Sequence, residues 1–391
     1  MRAFLIAGEA SGDKLGAALL AGLREERPDL EVAGIGGPLM AAEGVKSLFP
    51  MSDLSVMGLL EILPRLRHLF QRRDEAVTAV VAFNPDVLIT IDSPDFCLRV
   101  TKRLRAQRPD IPVIHYVAPS VWAWRPKRAQ KIARHVDHVL ALLPMEPPLL
   151  KAAGVSCDFV GHPIVAEPIP SAEEVGTFMR DAPLITVLPG SRTGEVARLG
   201  PVFGESVRHI AARRPNVEVV LPVVANVRDA VETLVADWPV RVQLLYPSVQ
   251  SPAEAEVRKR AAFMASDVAL AASGTVALEL ARAGTPMVIA YKTAPLTAAI
   301  MRRLMRTPFV SLPNILRQEP LVPELLQEAC TPEAIAQEVL ALLDNPDRAA
   351  RQRAGFASVL EDLGQAGPPP GARGAHSVLS FLKRFRLGER G

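Results

Sequence analysis

Cysteine is scarce: Cys97, Cys157 and Cys330 are the whole complement, far apart, with no CxxC spacing and no pairing with histidine. This excludes a disulfide-stapled scaffold and argues against a zinc site, and it suits a reducing compartment in which each thiol is a small apolar filler. Net charge is also nearly absent, since 45 basic residues against 42 acidic leave +3. Nucleic-acid binding through bulk charge is thereby excluded, and any basic surface must be local. No apolar run reaches the length of a membrane span. The amino terminus opens straight into a strand-like segment, without the charged region, apolar stretch and cleavage site of a secretory leader. The expectation is a cytoplasmic protein that is still able to sit on a membrane face.

What the chain does have is length and apolar content: 391 residues, 49% of them hydrophobic, enough for two cores. Short strand-like runs alternate with helical segments at Ala3–Ala7, Val32–Ile35, Val87–Ile91, Val113–Val117, Val139–Leu143 and Asp158–Val160. The pattern breaks at Gly161-His162-Pro163 and Pro168-Ile169-Pro170. It restarts with Leu184–Leu188, Val217–Leu221, Val240–Leu244, Val268–Ala271 and Met287–Ile289. Buried strands alternating with helices predict parallel, doubly wound sheets. The fold class is therefore α/β, two Rossmann-like domains over residues 1–165 and 166–391, the terminal helices of the second being able to pack back on the first, with the cleft between the two as the default ligand site. Gly364 to Gly374, with Gly367-Pro368-Pro369-Pro370-Gly371 inside it, reads as a loop before a last short helix, Ser377 to Arg386.

Chemistry-bearing residues gather where strands end. GEASGD, Gly8 to Asp13, directly follows the first strand, and a glycine turn between strand and helix leaves backbone N–H groups for a ligand. Glu9 adds a carboxylate there, while Ser11 and Asp13 are placed to cap the helix beginning near Lys14. The turn lacks the third glycine of a dinucleotide fingerprint and the GK[ST] ending of a P-loop. In IDSPDF, Asp92 ends the third strand and suits a general base, although a helix-cap role stands beside that reading, and Asp95 after Pro94 reads more simply as a cap. His115 to Arg125 carries two tryptophans, which either line a sugar or lipid path or pin a loop into the core.

In the second half, LPGSR offers Arg192 for phosphate oxygens. Ser273, Gly274 and Thr275 open a helix whose N–H groups suit a diphosphate, and Glu279, one turn in, is placed to accept from ribose hydroxyls. The plainer alternatives are a capping box at Thr275 and an ion pair on a solvated face at Glu279. Between Met57 and Arg73, Leu59, Leu63, Leu66 and Phe70 recur at helical spacing among arginines that include Arg72 and Arg73. Either this is an amphipathic helix packed on the sheet, with Pro64 marking a helix start, or it is a patch for anionic head groups.

Taken in order, GEASGD, VMGLLEIL, IDSPDF, HYVAPSVWAWRPKR, FVGHP, LPGSR, ASGTVALE, VSLPNIL and LLQEAC resemble the lipid-A-disaccharide synthase family, bacterial glycosyltransferases of GT-B architecture, over about residues 3 to 345. The resemblance implies transfer of 2,3-diacylglucosamine from its UDP-activated form to the 6-hydroxyl of 2,3-diacylglucosamine 1-phosphate. The products are the β-1′,6-linked lipid A disaccharide and UDP, with inversion at the donor carbon. It implies Asp92 as base, and Ser11, Arg192, Glu279 and Asn314 of SLPN as binding residues. It implies no metal and no cofactor, nucleotide in the carboxyl-terminal half and acceptor in the other. Acylated substrates further imply peripheral attachment to the cytoplasmic face of the inner membrane, which favours the patch reading of Met57 to Arg73. A homodimer with exchanged carboxyl-terminal segments is compatible with it. The rival on the same fold is a UDP-N-acetylglucosamine 2-epimerase-like enzyme, which would need no acyl acceptor.

Overall fold

A computed structural model describes residues 1–54, 59–119, 127–248, 251–305 and 307–388, with the side chains of 59–66, 127, 295–296, 300–301 and 304 also left undescribed. The chain forms two compact units, Met1–Ala166 with Leu363–Gly391, and Glu167–Asp362. In the first, β1 (Arg2–Ala7), β2 (Glu31–Ile35), β3 (Val87–Ile91), β4 (Val113–Tyr116), β5 (His138–Ala141) and β6 (Ser156–Phe159) make a parallel sheet of order β2-β1-β3-β4-β5-β6. In the second, β7 (Leu184–Leu188), β8 (Glu218–Pro222), β9 (Arg241–Leu245), β10 (Val268–Ala271), β11 (Met287–Tyr291) and β12 (Glu324–Leu326) run β12-β11-β10-β7-β8-β9, again parallel.

Alternation along each buried strand supplies a core on both faces. In the first sheet Phe4, Ile6, Leu88, Val113 and Val139 face the helices Leu59–Phe83 and Pro94–Arg105 through Val77, Val80, Val100 and Leu104. On the other face Leu5, Ile89, Ile114 and Leu140 meet Leu19, Leu20 and Leu23 of the helix Ala10–Glu26. The second sheet repeats the plan, with Val187, Val219 and Leu270 packed with Leu199 and Phe203, and Ala269, Met287 and Ile289 packed with Phe263 and Leu280. All three cysteines are buried and free. Burial, and then the Asp92 carboxylate, push the Cys97 thiol up, and burial pushes Cys157 up to about 12, so neither is a reactive thiolate.

The second unit ends at Asp362, and the last helix, Pro370–Arg386, belongs to the first unit, the packing-back that the sequence left open for the terminal helices. That helix begins before the expected Ser377, with Pro370 at its start, where a missing N–H costs nothing. Val378, Phe381 and Leu382 join the core of the first unit. Ser377 Oγ donates to Asp158 Oδ2 at 2.7 Å and lies 2.9 Å from His138 Nε2, and the His138 ring stacks on Phe381. Contrary to expectation, Pro64 does not start a helix: Leu59–Phe83 runs unbroken through it. Proline costs about 3 kcal/mol inside a helix, and here the long remainder of that helix, docked through Ala76, Val77 and Val80, outweighs it.

Candidate active site

Both sheets reverse direction at one point: the chain runs from β1 to β2 on one side and resumes at β3 on the other, and likewise from β7 through β8 and β9 before resuming at β10. Ligands of open α/β sheets bind at the carboxyl ends of the strands flanking such a reversal. GEASGD follows β1 and IDSPDF ends β3, with Ala7 paired to Ile91 in the register. LPGSR follows β7 and ASGTVALE follows β10, with Leu188 paired to Ala271. Four motifs far apart in sequence thus form two adjacent pairs, one pair in each unit.

At the first reversal the Asp92 N–H donates to the Tyr116 carbonyl at 2.9 Å, and Asp92 Oδ2 accepts from Ser11 Oγ at 3.4 Å. Asp92 and Ser93 both adopt left-handed backbone, φ 52° and 42°. Non-glycine residues held there cost on the order of 1–3 kcal/mol each and cluster at functional sites. Ser93 precedes the helix Pro94–Arg105 but makes no side-chain cap, and its buried Oγ has no hydrogen-bond partner among the described residues. Ser11 is exposed and Glu9 half-buried at the start of the helix Ala10–Glu26. Asp13 does not cap that helix as expected. It is buried and turned sideways, accepting from the N–H groups of Gly37, Leu39 and Met40, so it fixes the turn after β2. Asp95 is exposed, 3.7 Å from Arg128.

At the second reversal Gly190 has φ 118°, and a Cβ there would meet Glu195 at 2.6 Å. Glu195 Oε2 accepts from the Ser191 N–H at 3.1 Å, and Asn226 Nδ2 donates to the Ser191 carbonyl at 3.0 Å. The turn is pinned from both sides while the Arg192 side chain stays 72% exposed, with Glu195 3.8 Å away. Ser273 Oγ donates to the Val310 carbonyl at 3.4 Å. A Cβ on Gly274 would meet nothing within 4 Å, so packing does not demand glycine there. Thr275 precedes the helix Val276–Ala283 without a side-chain cap, which removes the capping-box explanation for it. Glu279 pairs with Lys259 Nζ at 2.9 Å.

Asn314 behaves differently from the other candidates. It is buried, its Nδ2 donates to the Val322 carbonyl and to Glu324 Oε1, and its Oδ1 accepts from the Val322 N–H. Glu324 also accepts from the N–H groups of Val310 and Ser311, so the SLPN segment is a clasp that joins β12 to the strand-end loops. The segment His115 to Arg125 falls partly outside the described residues, at 120–126. So do the side chains of Leu59, Leu63 and Leu66, whereas Phe70 is 38% exposed with the Arg73 and Arg99 guanidinium groups 5.0 and 5.6 Å from its ring. Neither Arg72 nor Arg73 is a free basic group: Asp53 and Glu75 take up Arg72, which lies 4.6 Å from the centre of the Phe49 ring, and Arg73 donates to both carboxylate oxygens of Asp74 at 2.8 and 2.9 Å. Sequence reasoning missed Lys259 and Ser93, whose neighbours Glu279 and Gly8 come from other elements, and Glu195, whose bond back to the Ser191 N–H is local and was open to a reading of the LPGSR turn.

Two parallel doubly wound sheets, each with glycine turns at its reversal, give the paired Rossmann-like domains of GT-B architecture. The fold is similar to that of UDP-GlcNAc 2-epimerase from Neisseria meningitidis, with a TM-score of 0.63 at 14% identity over 98% of this chain and 100% of that one. It is also similar to the glycotransferase of kitacinnamycin, with a TM-score of 0.60 at 16% identity over 97% and 98%. Sequence decides between them: residues 3–367 match the lipid-A-disaccharide synthetase family. The lipid-A-disaccharide synthase of Ruegeria pomeroyi is 52% identical over 98% of this chain and 96% of its own, and that of Rhodospirillum centenum 48% identical over 99% and 96%. The chain belongs to the lipid-A-disaccharide synthetase family and is a glycosyltransferase that uses a UDP-sugar. The epimerase likeness is one of fold alone.

Proposed function

We propose that the second unit holds UDP-2,3-diacylglucosamine and the first holds 2,3-diacylglucosamine 1-phosphate, with Asp92 as the base. The acceptor 6-hydroxyl oxygen attacks the donor anomeric carbon on the face opposite UDP. Its proton passes to the Asp92 carboxylate as the new β-linked bond forms and the bond to the diphosphate breaks. A positioned base of this kind contributes about 10²–10⁴ in rate. Ser11, bonded to Asp92, orients that carboxylate, and Glu9 stands at the same strand end. Arg192 and the N–H groups of the Ser273–Thr275 turn take up the charge that develops on UDP, helped by the dipole of the helix behind them. Glu279 accepts from the ribose hydroxyls. Asn314 acts by holding the SLPN loop rather than by direct contact. The observation that carries this reading is the pairing of the four motifs at the two sheet reversals.

The acyl chains require a lipid surface, and the reading extends to peripheral contact with the cytoplasmic face of the inner membrane through Phe70, Arg99 and the leucines 59, 63 and 66. No helix among the described residues is long and apolar enough to cross a membrane. Calorimetry with UDP tests the division of labour: Arg192→Ala should weaken binding about tenfold, while Asp92→Asn and Ser11→Ala leave it unchanged. Equal weakening by all three contradicts the assignment.

A further inference from the structure

We infer that Lys259 is a positioning residue for nucleotide binding, fixing the Glu279 carboxylate so that one oxygen is presented to the ribose hydroxyls of uridine diphosphate. The inference rests on the reading of Glu279 given above. Lys259 comes from a separate helix, Pro252–Ala265, and no motif contains it. Its Nζ lies 2.9 Å from Glu279 Oε2 and 2.8 Å from Glu256 Oε2, so the ammonium is held between two carboxylates. Glu256 is the outer of these, with 56% of its side chain exposed, against 24% for Lys259 and 29% for Glu279. Burial by itself would lower the Lys259 pKa, but Glu279 and Glu256 outweigh it and leave the pKa raised. The lysine therefore stays charged at any working pH.

A glutamate at the start of a helix has several rotamers, and a ligand that needs one of them must immobilise it. The ammonium has already done so. It occupies Oε2, and Oε1 accepts no other hydrogen bond among the described residues. The ion pair also offsets the carboxylate's charge where a diphosphate is to bind nearby, which a lone glutamate would repel.

The test is UDP affinity and steady-state kinetics of the full chain, with 2′,3′-dideoxyuridine diphosphate as a probe that lacks the ribose hydroxyls. Lys259→Met should raise Kd for UDP and the donor KM about tenfold with kcat within about twofold. It should leave affinity for the dideoxy probe unchanged, and Lys259→Arg should recover part of the loss. Lys259→Gln carries the same test if the methionine variant does not fold. Equal weakening toward UDP and the dideoxy probe overturns the inference, because a merely structural role does not distinguish the two. So does wild-type UDP affinity in the lysine variants when Glu279→Gln weakens it. Unchanged UDP affinity in Glu279→Gln overturns the ribose reading itself, and the inference with it.

Discussion

A Cβ placed on Gly8 would stand 2.5 Å from Ser93 Oγ and 2.9 Å from Ser93 Cβ. The glycine turn after β1 and the acid-bearing turn after β3 therefore share one small volume, and the left-handed Asp92-Ser93 pair is fixed from both sides. Gly8→Ala should cost about 1–3 kcal/mol by overpacking and lower activity by displacing Asp92. Ser93→Gly should instead stabilise by about 1 kcal/mol, since it relieves a positive φ and removes an unpartnered buried hydroxyl. In the double variant most of the Gly8→Ala cost should vanish. Urea midpoints at constant slope measure this, and simple additivity of the two changes would count against the contact.

The last helix docks through glycine. A Cβ on Gly371 would lie 2.3 Å from the Ala18 carbonyl oxygen, and one on Gly22 would lie 2.9 Å from that of Gly371. Glycine to alanine in a helix ordinarily gains about 0.5–1 kcal/mol. Here the obstacle is backbone, which cannot swing aside, so Gly371→Ala should destabilise by about 1–3 kcal/mol. Amide exchange in Pro370–Arg386 should accelerate while the second unit is unaffected. Unaltered exchange would mean that the two helices part without cost.

Acid should loosen the first unit. His115 and His138 are fully buried, and burial lowers each to about 4 from an ordinary 6.5, with Asp158 only partly opposing the effect at His138. Both are neutral in the folded unit, and the unfolded chain binds more protons between pH 6.5 and 4. Their contribution is thus fully present above pH 6.5 and falls as pH drops toward 4, by about 3 kcal/mol each at most. Imidazole resonances of both should not move between pH 7.5 and 5.5. A midpoint near 6.5 for either contradicts the burial.

Phe70 stands exposed with two guanidinium groups beside its ring; Arg73 is taken up by Asp74, so the arrangement that suits a lipid interface is the apolar ring with the exposed Arg99 next to it to meet phosphate. Changing Leu66 and Phe70 to serine should reduce binding to anionic liposomes severalfold with the melting temperature nearly unchanged. Liposome binding equal to wild type would remove this patch as the contact. Arg72→Ala should behave differently, costing stability because it deserts Asp53 and Glu75.

Much of this was legible in the chain. Val87–Ile91, Leu184–Leu188 and Val268–Ala271 are strands with the expected bounds, because a short, wholly apolar or β-branched run between turn residues reads as a buried strand. Glu324–Leu326 escaped notice: it has three residues, follows Pro323, and is a strand only because Ile289–Tyr291 pairs with it. The motifs were visible one by one, but their grouping was not, since it depends on strand order and the sequence carries no local mark of the reversals at β1/β3 and β7/β10. Asn314 shows the same limit from the other side. Its residue type suits a ligand contact, yet its three bonds all close on Val322 and Glu324.

The most direct test of the account is UDP release from UDP-2,3-diacylglucosamine in detergent micelles, with and without 2,3-diacylglucosamine 1-phosphate, for the wild type and Asp92→Asn. Asparagine tolerates the left-handed backbone at that position, so the variant should fold. Release should depend on the acceptor and fall about a hundredfold or more in the variant, with UDP affinity retained. Full activity in Asp92→Asn, or release by the wild type indifferent to the acceptor, would contradict it.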